Sequence, residues 1–522
     1  MLRFSIAAMF AASVALPLKA AEFRWAGTTD PQTMDPHAVN SAPVLGFLNN
    51  VYEGLVRLSQ DVTLEPALAT AWEPIGDGEG WRFTLREGVT FHDGSDFTAE
   101  DVVFSFERAS SEAADTRSWF APVSEVVAVD DYTVDIMTSA PNPVFPASIA
   151  NWMMMDAGWA TSNGAERPDK EAGNFATLNA NGTGAFMVTD RQPGLQTVVE
   201  PFAGWWGTPE HNITRATFTP IQNPATRVAA LLSGEVDMIE PVPIQDAARV
   251  DERDGVQVVR GVESRVIMLG FTHEAEALKY GSNAGDPNPF KDVRVREAVA
   301  RAVNVPAILQ TIMRGSAEPV SQLVTPAMRG FSDANAARTE YDVEAAKALL
   351  AEAGYPEGFG FGLKCPNNRY LNDEAVCQAV VSMLAQVGIT AELDAMPVQN
   401  YWPELRADNF DMYLLGWSPG GAFDHEHPVR FLASTPNEEK KLGSWNFGGY
   451  SNARIDELLP LIQSEIDEGK RQAMLDEVVG LYQGEHAYVP LYVQPLVWGV
   501  KDNIDLTQRP DNFFILRWVT VN

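Results

Sequence analysis

Cysteine is nearly absent from this sequence: among 522 residues there are two, Cys365 and Cys377. Without further Cys or His partners at ligand spacing, the pair does not make a zinc site. Basic side chains are scarce as well, with 38 Lys and Arg against 70 Asp and Glu and a net charge of −32. A field of that sign repels polyanions, so nucleic acid and anionic membrane surfaces are poor partners. Acidity otherwise describes a solvated surface and says nothing about fold. HExxH, the P-loop, the EF-hand loop and a CxxC pair are all missing, which removes the motif-borne zinc-protease, nucleotide, calcium and dithiol chemistries. Past the N-terminus, no apolar run reaches the roughly 18 residues of a membrane-spanning helix. Nothing is lacking for folding itself. A chain with 45% apolar and 21% charged residues, 39 Gly and 34 Pro sits near globular averages and is long enough for two or three domains with their own cores.

The N-terminus does carry an apolar run. Residues 1–21 hold Arg3, an apolar stretch from 4 to 16, then Pro17, Lys19 and the small pair Ala20 and Ala21. A basic start, a short apolar centre and small residues at the end describe a secretory signal peptide. Cleavage is expected after Ala20 or Ala21, and losing Arg3 and Lys19 with no acid takes the net charge from −32 to −34. No Cys stands directly after the expected cut, so a soluble periplasmic protein without a lipid anchor is expected. In an oxidising compartment Cys365 and Cys377 are expected to pair, a cross-link worth about 3 kcal/mol by chain entropy for so short a loop.

Short apolar runs at 23–27, 81–85, 133–137, 197–200 and 266–271 predict strands. Thr98-Ala99-Glu100-Asp101 ahead of Val102, Val103, Phe104 and Phe106 is a capping-box start for a helix ending near Ala109. Helical spacing predicts further helices over 293–304, 341–355 with Asp342 as N-cap, and 372–387 with Gly388 as stop. Strands are predicted after the last two, at 359–364 and 389–394, so this part alternates helix and strand and predicts an α/β lobe with a mainly parallel sheet. The Pro/Gly/Asn-rich stretch 281–289 and the extended run 489–500 are candidate crossings between lobes.

Two segments tempt a catalytic or metal reading. Gly416-Trp417-Ser418-Pro419-Gly420 fits the nucleophile-elbow pattern GxSxG, but Pro419, Gly420 and Gly421 stand where the elbow needs a helix. Asp424-His425-Glu426-His427 offers metal-ligand types, against the plainer reading of a solvated loop. No catalytic residue, cofactor or metal site is assigned. Aromatics beside Gly, Ser and Asn, such as Trp417, Trp445-Asn446 and Trp119, are better placed than the rest to line a pocket.

Several runs, taken together, carry a resemblance. Thr33-Met34-Asp35-Pro36 and Tyr52-Glu53-Gly54-Leu55 stand near the start. Trp81 to Gly94, ending Phe91-His92-Asp93-Gly94, is followed by Phe97-Thr98-Ala99-Glu100-Asp101-Val102-Val103. Gly182-Thr183-Gly184-Ala185-Phe186, Gly234-Glu235-Val236-Asp237 and Tyr450-Ser451-Asn452 with Ile455-Asp456 add to them. The chain resembles the extracellular solute-binding proteins of ABC importers, family 5, the peptide, dipeptide and nickel class. The resemblance implies a two-lobed periplasmic-binding-protein-like α/β fold of type II, with an extra inserted subdomain and a ligand cleft between the lobes. Expected bounds are 22–272 plus 490–522 for lobe I, its inserted subdomain about 56–182, and 273–489 for lobe II. It further implies a cargo of a small peptide or similar polar solute, captured by hinge closure and delivered by a monomer to the permease subunits of an importer. Asp424 would hold the ligand's ammonium and Arg369, beside Tyr370, its carboxylate. Trp417, Ser418, Trp445, Asn446, Asn40, Ser41 and Trp119 are the other expected contacts. The alternatives on the same scaffold are an oligosaccharide, an opine, haem or a nickel complex; a serine hydrolase using residues 416–420 is more remote.

Overall fold

The computed structural model describes residues 20–419 and 423–522. All but the last two residues of the expected signal peptide lie outside that description, as does Gly420 of the segment 416–420.

Two long strands, Val256–Phe271 and Tyr488–Lys501, pair antiparallel along most of their length. In the first, residues 256–259 alternate buried and more exposed positions, whereas Val266, Ile267, Met268, Leu269 and Phe271 are all fully buried. The alternating part has one solvated face and the continuous part is covered on both. Outward from this pair the eleven-stranded sheet runs on one side through Met412–Trp417, Gly360–Pro366 and Thr390–Met396. On the other side come Met238–Glu240, Ala21–Gly27, Ile213–Pro220, Gln196–Pro201 and Phe186–Gln192, and the short Glu318–Pro319 pairs with Tyr488–Lys501 off this path. Each half is parallel at its centre: Gly360–Pro366 runs parallel to both neighbours, and so does Ala21–Gly27. The helices Val343–Glu352 and Asp373–Ala385 alternate with the strands as predicted. Asp342 caps the first, accepting from the Ala345 N–H at 2.9 Å.

Between the halves the long pair changes register, from Val262 opposite Pro495 to Val266 opposite Val493. Glu263, Ser264 and Arg265 therefore face the single residue Gln494, a bulge that bends the ribbon where the two halves meet.

A separate four-stranded antiparallel sheet is built from Ala69–Ile75, Gly80–Leu85, Thr133–Thr138 and Val123–Asp130. Its core of Phe83, Phe91, Phe97 and Trp152 also takes in Val324, Met328 and Phe423 from the later part of the chain. The helix Ala99–Ala109 starts at the capping box, with the Asp101 carboxylate accepting from the Thr98 N–H at 2.9 Å. No helix among the described residues is long and apolar enough to cross a membrane.

Candidate ligand-binding cleft

The strand Gly360–Pro366 leads through a short loop into the helix Asp373–Ala385, and three devices hold that loop. Asp373 Oδ2 accepts the backbone N–H groups of Arg369 at 2.9 Å and Tyr370 at 3.0 Å. Asn372 takes the left-handed conformation, φ 54°, at the helix start. Cys365 and Cys377 form the expected disulfide, tying strand end to helix across a Cα separation of 6.6 Å. Tyr370 is buried and its hydroxyl donates to the Gly416 carbonyl at 3.1 Å. Arg369 differs from its neighbours: its guanidinium, 5.2 Å from the centre of the Tyr370 ring, donates to no group among the described residues. It is open to solvent yet crowded, so that desolvation, helped by nearby Arg265, lowers its pKa. A cation is thus held at a wall of the protein without a counter-ion.

Arg369 and Tyr370 line a cavity of about 480 Å³ between the two halves of the sheet, within the range of about 300 to 1,000 Å³ typical of small-ligand sites. Asn368 and Leu371 join them on that side. Facing them is an aromatic wall containing Trp25 and Phe218, with ring centres 5.3 Å apart, and Trp498 and Phe514, 5.7 Å apart. Two carboxylates also border the cavity. Glu263, on the bulge, is saturated, accepting from Arg265 at 2.9 Å and from Gln494 at 2.5 Å. Glu240 is not: its Oε2 is buried with no hydrogen-bond partner. Burial pushes the Glu240 carboxyl up to about 7 against the pull of Arg227.

The family model for bacterial extracellular solute-binding proteins, family 5 (Middle), matches residues 63–439. The chain belongs to that family. It is 26% identical over 481 residues to the glutathione-binding protein GsiB of Shigella flexneri serotype 5b, covering 90% of this chain and 89% of the relative. Among solved structures, the substrate-binding protein CtaP of Listeria monocytogenes superposes with a TM-score of 0.83 at 20% identity, covering 96% of this chain and 99% of the other. HbpA2 of Haemophilus parasuis gives 0.81 at 22% identity, covering 96% and 100%. The fold of this family 5 protein is accordingly the two-lobed α/β fold of the periplasmic binding proteins.

Of the side chains expected at the ligand, the cleft of the family 5 protein brings together Arg369 and Tyr370. Asn40 and Ser41 stand just before Ala42 and Pro43, which border the cavity; Ser41 is the N-cap of the helix Ala42–Leu48. Asp424 calls for a correction. Its carboxylate accepts from both terminal nitrogens of Arg471, at 2.7 and 2.9 Å, and from the Glu426 N–H at 2.8 Å, and it is 1% exposed. An interior ion pair has taken the place assigned to a ligand ammonium. Asn446 is likewise spent on its own turn, donating to the Ser434 and Tyr450 carbonyls at 2.9 and 2.7 Å. Trp445 packs edge-on against Trp402 at 5.6 Å, Trp417 against Phe431 at 6.1 Å, and Trp119 against two apolar clusters of the first part of the chain. Ser418 Oγ lies 2.8 Å from Ser264 Oγ, while His425 is bonded to the Gly330 carbonyl and the Tyr482 hydroxyl. The described residues therefore bring no histidine to Ser418 as a base. They also contain no group of three or more His, Cys, Asp or Glu placed to hold a metal ion.

Sequence reasoning missed Glu240 and the aromatic wall. A signal for Glu240 was available, since it is the single charged residue in Met238-Ile239-Glu240-Pro241-Val242, and a lone acid in an apolar run has to be explained by a partner or a function.

Proposed function

We propose that this protein is the periplasmic substrate-binding component of an ABC importer, capturing a small peptide or similar polar solute and presenting it, as a monomer, to the membrane permease. The observation that carries the ligand class is the unpartnered guanidinium of Arg369 on the cavity wall. A peptide carboxylate gives it a bidentate, charge-assisted partner, whereas a neutral oligosaccharide would leave the cation unmatched once closure takes it out of solvent. The relative named for glutathione, a tripeptide, supports the same class.

In this reading lobe I comprises 22–272 and 490–522, with the inserted subdomain at about 56–182, and lobe II comprises 273–489. The bulge at Glu263, Ser264 and Arg265 lies close to both boundaries and is the natural place for the hinge. A ligand held by Arg369 from lobe II and by the aromatic wall of lobe I makes all its contacts only when the lobes close, so binding energy selects the closed form.

Isothermal titration of the parent protein and Arg369→Ala with glutathione and a panel of di- and tripeptides tests the assignment. At least one peptide should bind the parent, and the variant should lose about 2 to 5 kcal/mol of affinity, the range for truncating one partner of a desolvated charge pair. Absence of binding by every peptide, or a variant within twofold of the parent, refutes it.

A further inference from the structure

We propose that Glu240 is a second ligand anchor, the lobe I receptor for the ammonium end of the solute whose carboxylate is held by Arg369. This rests on the reading of the cleft as a peptide site and adds to it the other pole of the ligand.

The geometry isolates Glu240 as an acceptor in want of a donor. It ends the short strand Met238–Glu240, with Gly27 opposite it on the parallel neighbour. A Cβ added to Gly27 would stand 3.1 Å from the Phe218 ring and 3.7 Å from Glu240 Oε1. The absence of a side chain there keeps the carboxylate and the ring adjacent, both on the cavity wall. Neither Glu240 oxygen accepts from a described residue, and Oε2 is buried. Arg227, on the helix Pro224–Ser233, is the nearby cation, but it spends its donors on backbone: the Ile221 carbonyl at 2.7 Å and the Pro241 carbonyl at 2.9 Å. The paired strands contribute Gly27 opposite Glu240 and Gly499 opposite its neighbour Ile239, which bring no charge. Across the cavity stand Arg369 and the saturated Glu263. A buried carboxylate without donors is unstable as an ion, and here burial lifts its titration to about 7. A ligand cation would restore the charge and supply the missing donors. A peptide ammonium beside the rings of Phe218 and Trp25 suits such a pocket.

The sign of the pH effect follows. Below its raised pKa the free carboxyl is protonated and must lose that proton to meet a cation, so affinity falls as pH drops, by up to about tenfold per unit. Calorimetry on the intact protein would compare each peptide bound by the parent with its N-acetylated form, at pH 6 to 8.5, in the parent and in Glu240→Gln. N-acetylation should weaken binding to the parent at least tenfold and to the variant less than threefold. Affinity of the parent for the free peptide should climb from pH 6 to 7.5 and stay level in the variant. A parent that binds the N-acetylated peptide within twofold of the free one overturns the inference alone, with no need for the variant. Persistence of the pH dependence in a folded Glu240→Gln protein overturns it as well. If no peptide binds at any pH, the peptide reading falls and this inference with it.

Discussion

Three acidic side chains, Asp424, Glu263 and Glu240, show how partners decide the role of one functional group. Asp424 is closed on itself by Arg471, Glu263 is closed by Arg265 and Gln494, and Glu240 is left open at the cavity. Resemblance places a carboxylate near the end of the strand Met412–Trp417, but only the fold reveals that a guanidinium from 47 residues further on already occupies it. Removing the charge at Asp424 strands Arg471, which is itself 2% exposed. Asp424→Asn should therefore lower unfolding stability by about 3 to 5 kcal/mol, the cost of breaking a buried pair from one side, while the folded fraction keeps its peptide affinity within twofold. Urea unfolding and calorimetry on the same preparation separate the two effects; a large affinity loss at unchanged stability would return Asp424 to the ligand.

At the scale of elements, the loop between Gly360–Pro366 and Asp373–Ala385 is the feature that turns local structure into recognition. The disulfide closes it and the Asp373 carboxylate organises its backbone, so the position of Arg369 is paid in advance of binding. Replacing both cysteines by alanine should cost about 3 kcal/mol of stability and should also weaken peptide binding, because part of the ordering would then be deferred to the complex. Unfolding curves and titrations of the double variant check both; unchanged affinity would show that Asp373 alone suffices. This loop and its disulfide were legible in the sequence because all the groups involved lie within residues 365–377. The same locality made the capped helix Ala99–Ala109 and the alternating strands readable. The meeting of Glu240 with the aromatic wall was not, since Trp25, Phe218, Glu240 and Trp498 come from four different strands that meet only through sheet order. Trp417 and Asn446 lie outside the cavity lining for a related reason: a Gly- or Ser-flanked aromatic or amide is equally suited to brace a turn, and here both have internal partners.

Across the whole molecule, burial of histidine sets a response to acid that surface charge does not. His37, His92 and His425 are held down at about 4 and His273 at about 3, in each case chiefly by desolvation. Unfolded, each titrates near 6.5. The fold therefore excludes protons that the unfolded chain accepts, so stability that is complete above about pH 6.5 is lost as pH falls toward 4. Asp101, raised to about 6, and Glu240, raised to about 7, act in the opposite sense, because the fold retains protons that the unfolded chain releases. Burial raises Glu53, Asp373 and Asp411 too, but it also lowers His211 and His486, and, against burial, bonds from Arg108, Arg24 and His427 hold Asp35, Asp237 and Glu426 below the usual carboxylate range, so acidification loads more protons on the unfolded chain than on the fold. Stability measured by urea unfolding from pH 4.5 to 7.5 should fall steeply on acidification below about 6.5, and a flat or rising profile would contradict this balance. Bound peptide should steepen the decline between pH 7 and 6, because ionised Glu240 is the form that holds the ligand and protonating it removes that stabilisation from the folded state alone.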